Sequence, residues 1–303
     1  YNIFNFEITG STFDSNNSYQ NGGAIYNQTS LTGKNSYAPM TIKNSTFTNN
    51  HSLEAYGGAI YHSGGTLNII ADGADTVFTG NTDSTGSNAI YIDKGYFNIN
   101  AGNGGSVIFN DAINANNNYI TVNFETDGGA KSPPICTPYD GVVQINNTVS
   151  NADLALYNGT LKLGHDSNLS STNLTLVGGI LSLENNRADD ILSVKHFAAY
   201  ENASIRFDAD FSTGENDTIF ANIASGTLNT SRLNILADGN ISSLTLFQNG
   251  IAPDLQSFMV YTNNYGYTFT QGATRGVYDV TINNISFSGL AAAVAENFIY
   301  RSF

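Results

Sequence analysis

The chain has a single cysteine, Cys136, so no disulfide can close within it. Its 303 residues suffice to bury a large core without a disulfide or metal staple. Charged residues make up only 12%, about half the globular norm. Basic residues are the scarcer kind, 11 against 25 acidic, and the net charge of −14 disfavours nucleic acid and anionic membranes as partners while leaving cationic ligands, calcium and neutral glycans open. No run of about twenty apolar residues is present, so nothing reads as a membrane-spanning helix. Neither an initiator methionine nor a basic leader precedes Tyr1, which reads as the start of a processed or excised segment. Only five prolines occur, and three of them, Pro133, Pro134 and Pro138, lie together.

What the chain has instead is neutral polar residues and repetition. A Phe-x-x-Asn tetrad recurs at Phe13–Asn16, Phe47–Asn50 and Phe78–Asn81, the phenylalanines being 34 and 31 residues apart (47 − 13 and 78 − 47). About ten residues after each comes Gly-Gly-Ala-Ile-Tyr, intact at Gly22–Tyr26 and Gly57–Tyr61 and altered at Gly86–Tyr91. A period of this size implies stacked units, each covering its neighbour's apolar face. Helical periodicity is nearly absent, and short alternating runs are cut by Gly, Asn and Asp every eight to twelve residues.

One unit reads as strand Met40–Phe47, a turn at Asn49-Asn50, strand Gly58–His62, a turn at Gly64-Gly65 and strand Thr66–Ala71. Three strands and three corners make one rung of a right-handed parallel β-helix, all-β and under about 10% helix, with the next rung about 4.8 Å along the axis. Phe13, Phe47, Phe78 and Phe109 are then an interior aromatic column, and Asn16, Asn50 and Asn81 a corner ladder that also takes left-handed backbone. The Gly-Gly pairs open corners, and Ala24, Ala59 and Ala89 fill tight core. Tyr26, Tyr61 and Tyr91 are expected on the alanines' face.

Asp127–Asp140, with its prolines, reads as a protruding loop, and Cys136 within it as an incidental thiol with no histidine or second cysteine nearby. Beyond it the period tightens: Leu154-Ala155-Leu156 and Leu161-Lys162-Leu163 align with Leu174-Thr175-Leu176 and Leu181-Ser182-Leu183 at a shift of 20 (174 − 154). Leu233–Gly239 echoes Leu67–Gly73. These features place the coil over residues 1–258, in eleven or twelve turns and a rod of about 50–60 Å. A less regular cap follows over 259–303, with antiparallel strands at Met259–Phe269 and Gly276–Phe287, a helical turn or two at Leu290–Glu296 and an alternating Phe298–Phe303.

The interleaved Phe-x-x-Asn and Gly-Gly-Ala-Ile motifs, over residues 10–110, resemble the polymorphic outer membrane proteins of the chlamydial type. The Leu-x-Leu texture from Leu154 to Ser243 is similar to autotransporter passenger domains. The resemblance implies display on a bacterial outer surface, commonly as an adhesin whose partner is a host-cell receptor, a glycan or neighbouring copies. Such proteins carry a long C-terminal β-barrel, whereas residues after 260 leave room for two or three strands, so membrane attachment is expected through segments outside this chain.

β-helices also host polysaccharide lyases and hydrolases, which group carboxylates on one exposed face. The best such set is Asp208 and Asp210 with Arg206, Glu215 and Asp217 nearby, suited to acid–base work or to calcium. The plainer reading is a solvated strand face backed by Ile205, Phe207, Ala209 and Phe211. Asp189-Asp190 beside Arg187 reads as a charged loop. His51, His62, His165 and His196 have no metal-ligand spacing, and no nucleophile triad or phosphate-cradling loop appears. The expectation is a non-catalytic surface module with no catalytic, metal or cofactor residues, the alternative being a carbohydrate-active β-helix enzyme.

Overall fold

A computed structural model describes residues 6–28, 39–124, 139–228, 231–248, 254–255, 258–261 and 266–283. No helix occurs among them, and the strands stack in parallel as a β-helix. Three faces recur in each rung. The first is exemplified by Ile25–Gln28 over Ile60–Ser63, the second by Met40–Lys43 over Leu67–Ile70 and the third by Thr12–Asp14 over Thr46–Thr48. The third face stacks ten strands, from Thr12–Asp14 to Phe258–Tyr261. Nine steps of about 4.8 Å give roughly 43 Å. Among the described residues that is fewer rungs than the eleven or twelve expected, because the rungs before Ile145 are long, 34 residues from Phe13 to Phe47 and 36 from Phe109 to Ile145 (145 − 109).

The expected unit is right in outline and differs at its corners. Met40–Phe47 is two strands, Met40–Lys43 and Thr46–Thr48, divided where Asn44 takes φ +50°. Conversely, Ile60–Asp72 is one strand that bends at Gly64-Gly65 and so covers the first and second faces together. The shift of 20 holds, with Leu154 over Leu174 and Leu161 over Leu181. The Leu233 echo of Leu67 does not mark one position, since Leu67 pairs on the second face and Leu233 on the third.

Inside the coil, Phe13, Phe47, Phe78 and Phe109 form the expected column, with ring centroids 4.7, 4.8 and 4.7 Å apart and nearly parallel planes. Phe47, Phe78 and Phe109 are fully buried, each removing on the order of 150–200 Å² from water. Beside it runs the asparagine ladder. The backbone N–H and Nδ2 of Asn16 both donate to Asn50 Oδ1 at 3.1 and 2.8 Å, and those of Asn50 donate to Asn81 Oδ1 at the same distances. Asn81 repeats the pattern onto Asp111 Oδ2, at 2.9 and 2.7 Å. The fourth motif copy, which lacks an asparagine three residues after Phe109, is therefore completed by Asp111 one position earlier. An acceptor-only carboxylate suits the end of a ladder in which every other member also donates. The left-handed backbone expected of these asparagines belongs instead to the preceding residues, Ser15, Asn49 and Gly80.

The Gly-Gly corners work by close approach. Gly22 and Gly57 have φ +76° and +75°, and a Cβ on Gly23 or Gly58 would run into the backbone of the adjoining rung. Just after, the amides of Ala24 and Ile25 both donate to Ala59 O, and those of Ala59 and Ile60 both donate to Ala89 O. This doubled contact resets the alternation: Ala59 and Ile60 are both buried, and the outward series begins at Tyr61. The tyrosines therefore do not share the alanines' face. Tyr26, Tyr61 and Tyr91 stack outside the coil at 5.3 and 5.7 Å, with Tyr56 a further 4.6 Å from Tyr91. Burial raises the Tyr61 hydroxyl to about 12, so the ladder stays uncharged.

The parallel pairing of Phe258–Tyr261 with Ser231–Asn234 carries the coil across the expected boundary at 258. The expected hairpin is present with shorter strands, Gly266–Gln271 against Val277–Asn283, and Ser243–Thr245 pairs antiparallel with the latter. Tyr267 meets Phe211 edge-on at 4.8 Å. Residues 127–138 of the expected loop, Cys136, Leu290–Glu296 and Phe298–Phe303 lie outside the described residues.

Replacing Asn81 with Ala strips four hydrogen bonds from buried groups and is expected to cost about 3 kcal/mol. Asn81→Asp is expected to cost at least as much at pH 7, by setting a carboxylate against Asp111, and to recover part of that loss in acid. Urea denaturation of both variants at pH 7 and pH 4 checks this; equal, small losses would show that the ladder is not a stabilising element.

Candidate functional site

The sequence-selected acidic set is dispersed by the fold. Asp208 is fully buried, its Oδ2 accepting the N–H groups of Asn185 and Asn186 at 2.8 Å and its Oδ1 accepting Asn234 Nδ2 at 2.6 Å. It is not on a solvated face: strand Ala203–Asp210 keeps its register through Ala209, but the Asn185–Asn186 backbone closes over Asp208 and encloses it. Asp210 instead caps a turn, accepting Ser212 N–H and Oγ–H, and these bonds hold its carboxyl below the usual range. Glu215 is exposed beside that turn. Asp217 is buried, with one oxygen accepting Asp208 N–H at 2.6 Å and the other Asp190 N–H at 3.2 Å. Desolvation drives its carboxyl up to about 9 against the pull of those amides. Arg206 lies in register with Arg232, which pairs with Glu184 at 2.5 Å. Two carboxylates facing one open space are thus absent from this set.

The charged loop gains a partner that spacing concealed. His165 Nδ1 lies 2.5 Å from Asp190 and 3.8 Å from Asp189, and the three ligand atoms fall within 4.8 Å of one another, a set able to meet a divalent cation. Each is already matched: Asp189 by Arg187 at 2.8 Å, Asp190 by His165 and by Asn185 Nδ2 at 2.5 Å. His62 is fully buried in the core, where Asn27 Nδ2 donates to its Nδ1 at 2.9 Å, and desolvation lowers it to about 4. His51 Nδ1 meets Thr82 Oγ1 at 2.6 Å.

The open site lies elsewhere, on the outer side of the second face. In register across rungs run Tyr96, Tyr119 and Asp153, then Asn173 and His196. Two residues along each strand lies a parallel column, Thr41, Asn68, Asn98, Thr121, Ala155, Thr175, Ala198 and Ser225. Its first four members form a one-way chain of hydrogen bonds: Thr121 Oγ1 donates to Asn98 at 2.6 Å, Asn98 Nδ2 to Asn68 at 2.8 Å and Asn68 Nδ2 to Thr41 at 3.3 Å. Past Thr121 the column falls to small side chains, and a trough of about 530 Å³ opens over them. One wall carries Tyr119, Asp153, Asn173 and His196, and the other Tyr157 and Val177. Asn173 Nδ2 donates to Asp153 Oδ1 at 2.6 Å, fixing both. Tyr119 is 60% exposed. Asp153 is the single carboxylate among the lining residues, and no lysine or arginine lines the trough.

Of these residues, sequence reasoning weighed only His196 for chemistry, as one of four scattered histidines, while Ala155 and Thr175 entered it only as members of the leucine repeat. The signal was present: the leucine shift of 20 that places Leu174 over Leu154 also places Asn173 over Asp153. His196 needs the next interval, 23 residues (196 − 173), which no motif announces. The chain matches no protein-family model and no curated protein.

Two buried groups give stability opposite pH slopes. His62, lowered from 6.5 to about 4, binds its proton more readily when unfolded, so stability falls as pH drops from 6.5 to 4, by about 3 kcal/mol. Asp217, raised from 3.8 to about 9, keeps its proton when folded, so stability falls as pH rises through the window from 4 to 9. Thermal melts of His62→Gln are expected to lose the acid slope and those of Asp217→Asn the alkaline one. Slopes unchanged from the parent would show that other groups control them.

Proposed function

We propose that this chain is a secreted or surface-displayed β-helical module of the adhesin type, on the outside of a bacterial cell, which binds a host receptor, a glycan or neighbouring copies of itself. The observation that carries this reading is the division of labour in each rung. Phe-x-x-Asn and Gly-Gly-Ala-Ile residues are taken up in the core column, the corner ladder and the close-approach corners. Outside the tyrosine ladder, the outward residues of the later rungs differ from one rung to the next, and five of those rungs form one trough. The scarcity of charge and the lack of any internal disulfide agree with a coil held by repetition alone.

The rival is a carbohydrate-active enzyme, favoured by one observation: Asp153 and His196 share an outward column two rungs apart. Against it, hydrolysis by paired carboxylates needs two facing groups, and the trough lining supplies one.

The purified chain is expected to be retained on glycan arrays or on host-cell surfaces without releasing product. Release of oligosaccharide, lost in Asp153→Asn, would move the chain to the enzymes; absence of retention on glycans, cells and immobilised copies alike would remove the adhesin reading.

A further inference from the structure

We propose that the trough over Thr121, Ala155, Thr175 and Ala198 binds an uncharged, hydroxyl-rich saccharide chain lying along the axis of the coil. This rests on the binding-module reading and names its site and ligand class. The trough crosses the strands from Ile113–Val122 to Thr218–Leu228 in five rungs, about 19 Å at one rung spacing per step. Its floor is small, so a chain can lie on it; its length runs across rungs, so the ligand must be linear.

The walls say which linear ligand. One wall presents a carboxylate, an amide and an imidazole on successive rungs, groups that accept from and donate to hydroxyls, with hydroxyl bonds to a carboxylate the strongest of these. Tyr119, largely exposed, and Tyr157, with one face stacked on Phe124 at 4.2 Å, add aromatic surface against which the C–H side of a sugar can pack. This pairing of few fixed polar groups with aromatic surface is what orients a small ligand. A polyanion is disfavoured, since Asp153 is not offset by any lysine or arginine in the lining and the whole chain carries −14. An extended peptide cannot add as a strand, because the strands flooring the trough are paired on both sides.

The test uses the purified chain on an array of cello-, manno-, galacto- and chito-oligosaccharides, beside acidic glycans. Retention by at least one neutral series is expected. Ala155→Trp and Ala198→Trp, which fill the floor from outside the core, are expected to lower it at least tenfold, and Asp153→Asn several-fold. Tyr61→Ala, on the separate tyrosine ladder, should leave it unchanged. Circular dichroism and melting temperature confirm folding, and if a tryptophan variant fails to fold, Tyr119→Ala reads the same site. Three results overturn the proposal: no neutral glycan retained, only acidic glycans retained, or full retention by folded trough-filled variants. Cell-surface binding that survives in those variants would sink this site while leaving the adhesin reading intact.

Discussion

In-register parallel stacking is the constraint on which the rest of this molecule depends. Each side chain sits about 4.8 Å above the one that occupies the same place in the previous rung. A column therefore accepts residues that tolerate their own kind: phenylalanine stacks, asparagine both donates and accepts, alanine packs. Like charges do neither, which accounts for a charged content of 12% better than any feature of the surface. Several of the charges that do enter are answered by a neighbour, although Arg206 lies in register with Arg232. Lys43 meets Asp72 at 2.5 Å, Glu184 meets Arg232, and Asp153 is held by Asn173.

The two halves resolve their corners differently, and the difference is electrostatic. The early rungs carry an asparagine ladder, which satisfies neighbours above and below without a net charge, and within that ladder a carboxylate enters only at Asp111, where it stops. The later corners hold Asp190, Asp208 and Asp217 close together and largely buried. Backbone N–H groups point at Asp208 and Asp217, yet burial dominates for Asp217 and for Asp190, whose carboxyls rise above the usual range. Keeping a proton on Asp217 removes one like charge from the group. A neutral acid in that corner takes the part that asparagine takes earlier, at the expense of sensitivity to alkali.

Sequence alone revealed the architecture because the residues that set it repeat. The phenylalanine column and the shift of 20 were legible as periods, and the structure realises both. What stayed hidden depends on single-residue offsets that periodicity cannot see. Two consecutive amides converging on Ala59 O turn Tyr26 and its successors outward. A corner one residue shorter puts Asp111 rather than Ala112 on the ladder. Rung lengths of 20, 23 and 27 residues on the second face (Leu154 to Leu174, to Phe197, to Ala224) bring His165 to Asp190 and His196 to Asn173, neither of which has any sequence spacing of its own. Asp208 looked solvated because alternation places it outward and gives no sign that Asn185 and Asn186, from the preceding rung, close over it.

The same reasoning explains why a binding site should form where it does. A column that keeps its hydrogen-bond chain, as Thr41, Asn68, Asn98 and Thr121 do, is saturated by its own members and offers little to a ligand. Thr121 donates backward and the next residue is Ala155, which has nothing to continue the chain. From that rung on, the floor is low and the flanking wall is no longer repetitive: tyrosine, aspartate, asparagine and histidine follow one another where the early rungs would have placed like on like. Repetition stabilises a coil by making neighbours interchangeable, and recognition requires that they not be. The trough therefore begins at the break in the ladder because that break is the first place on this face where the two demands separate.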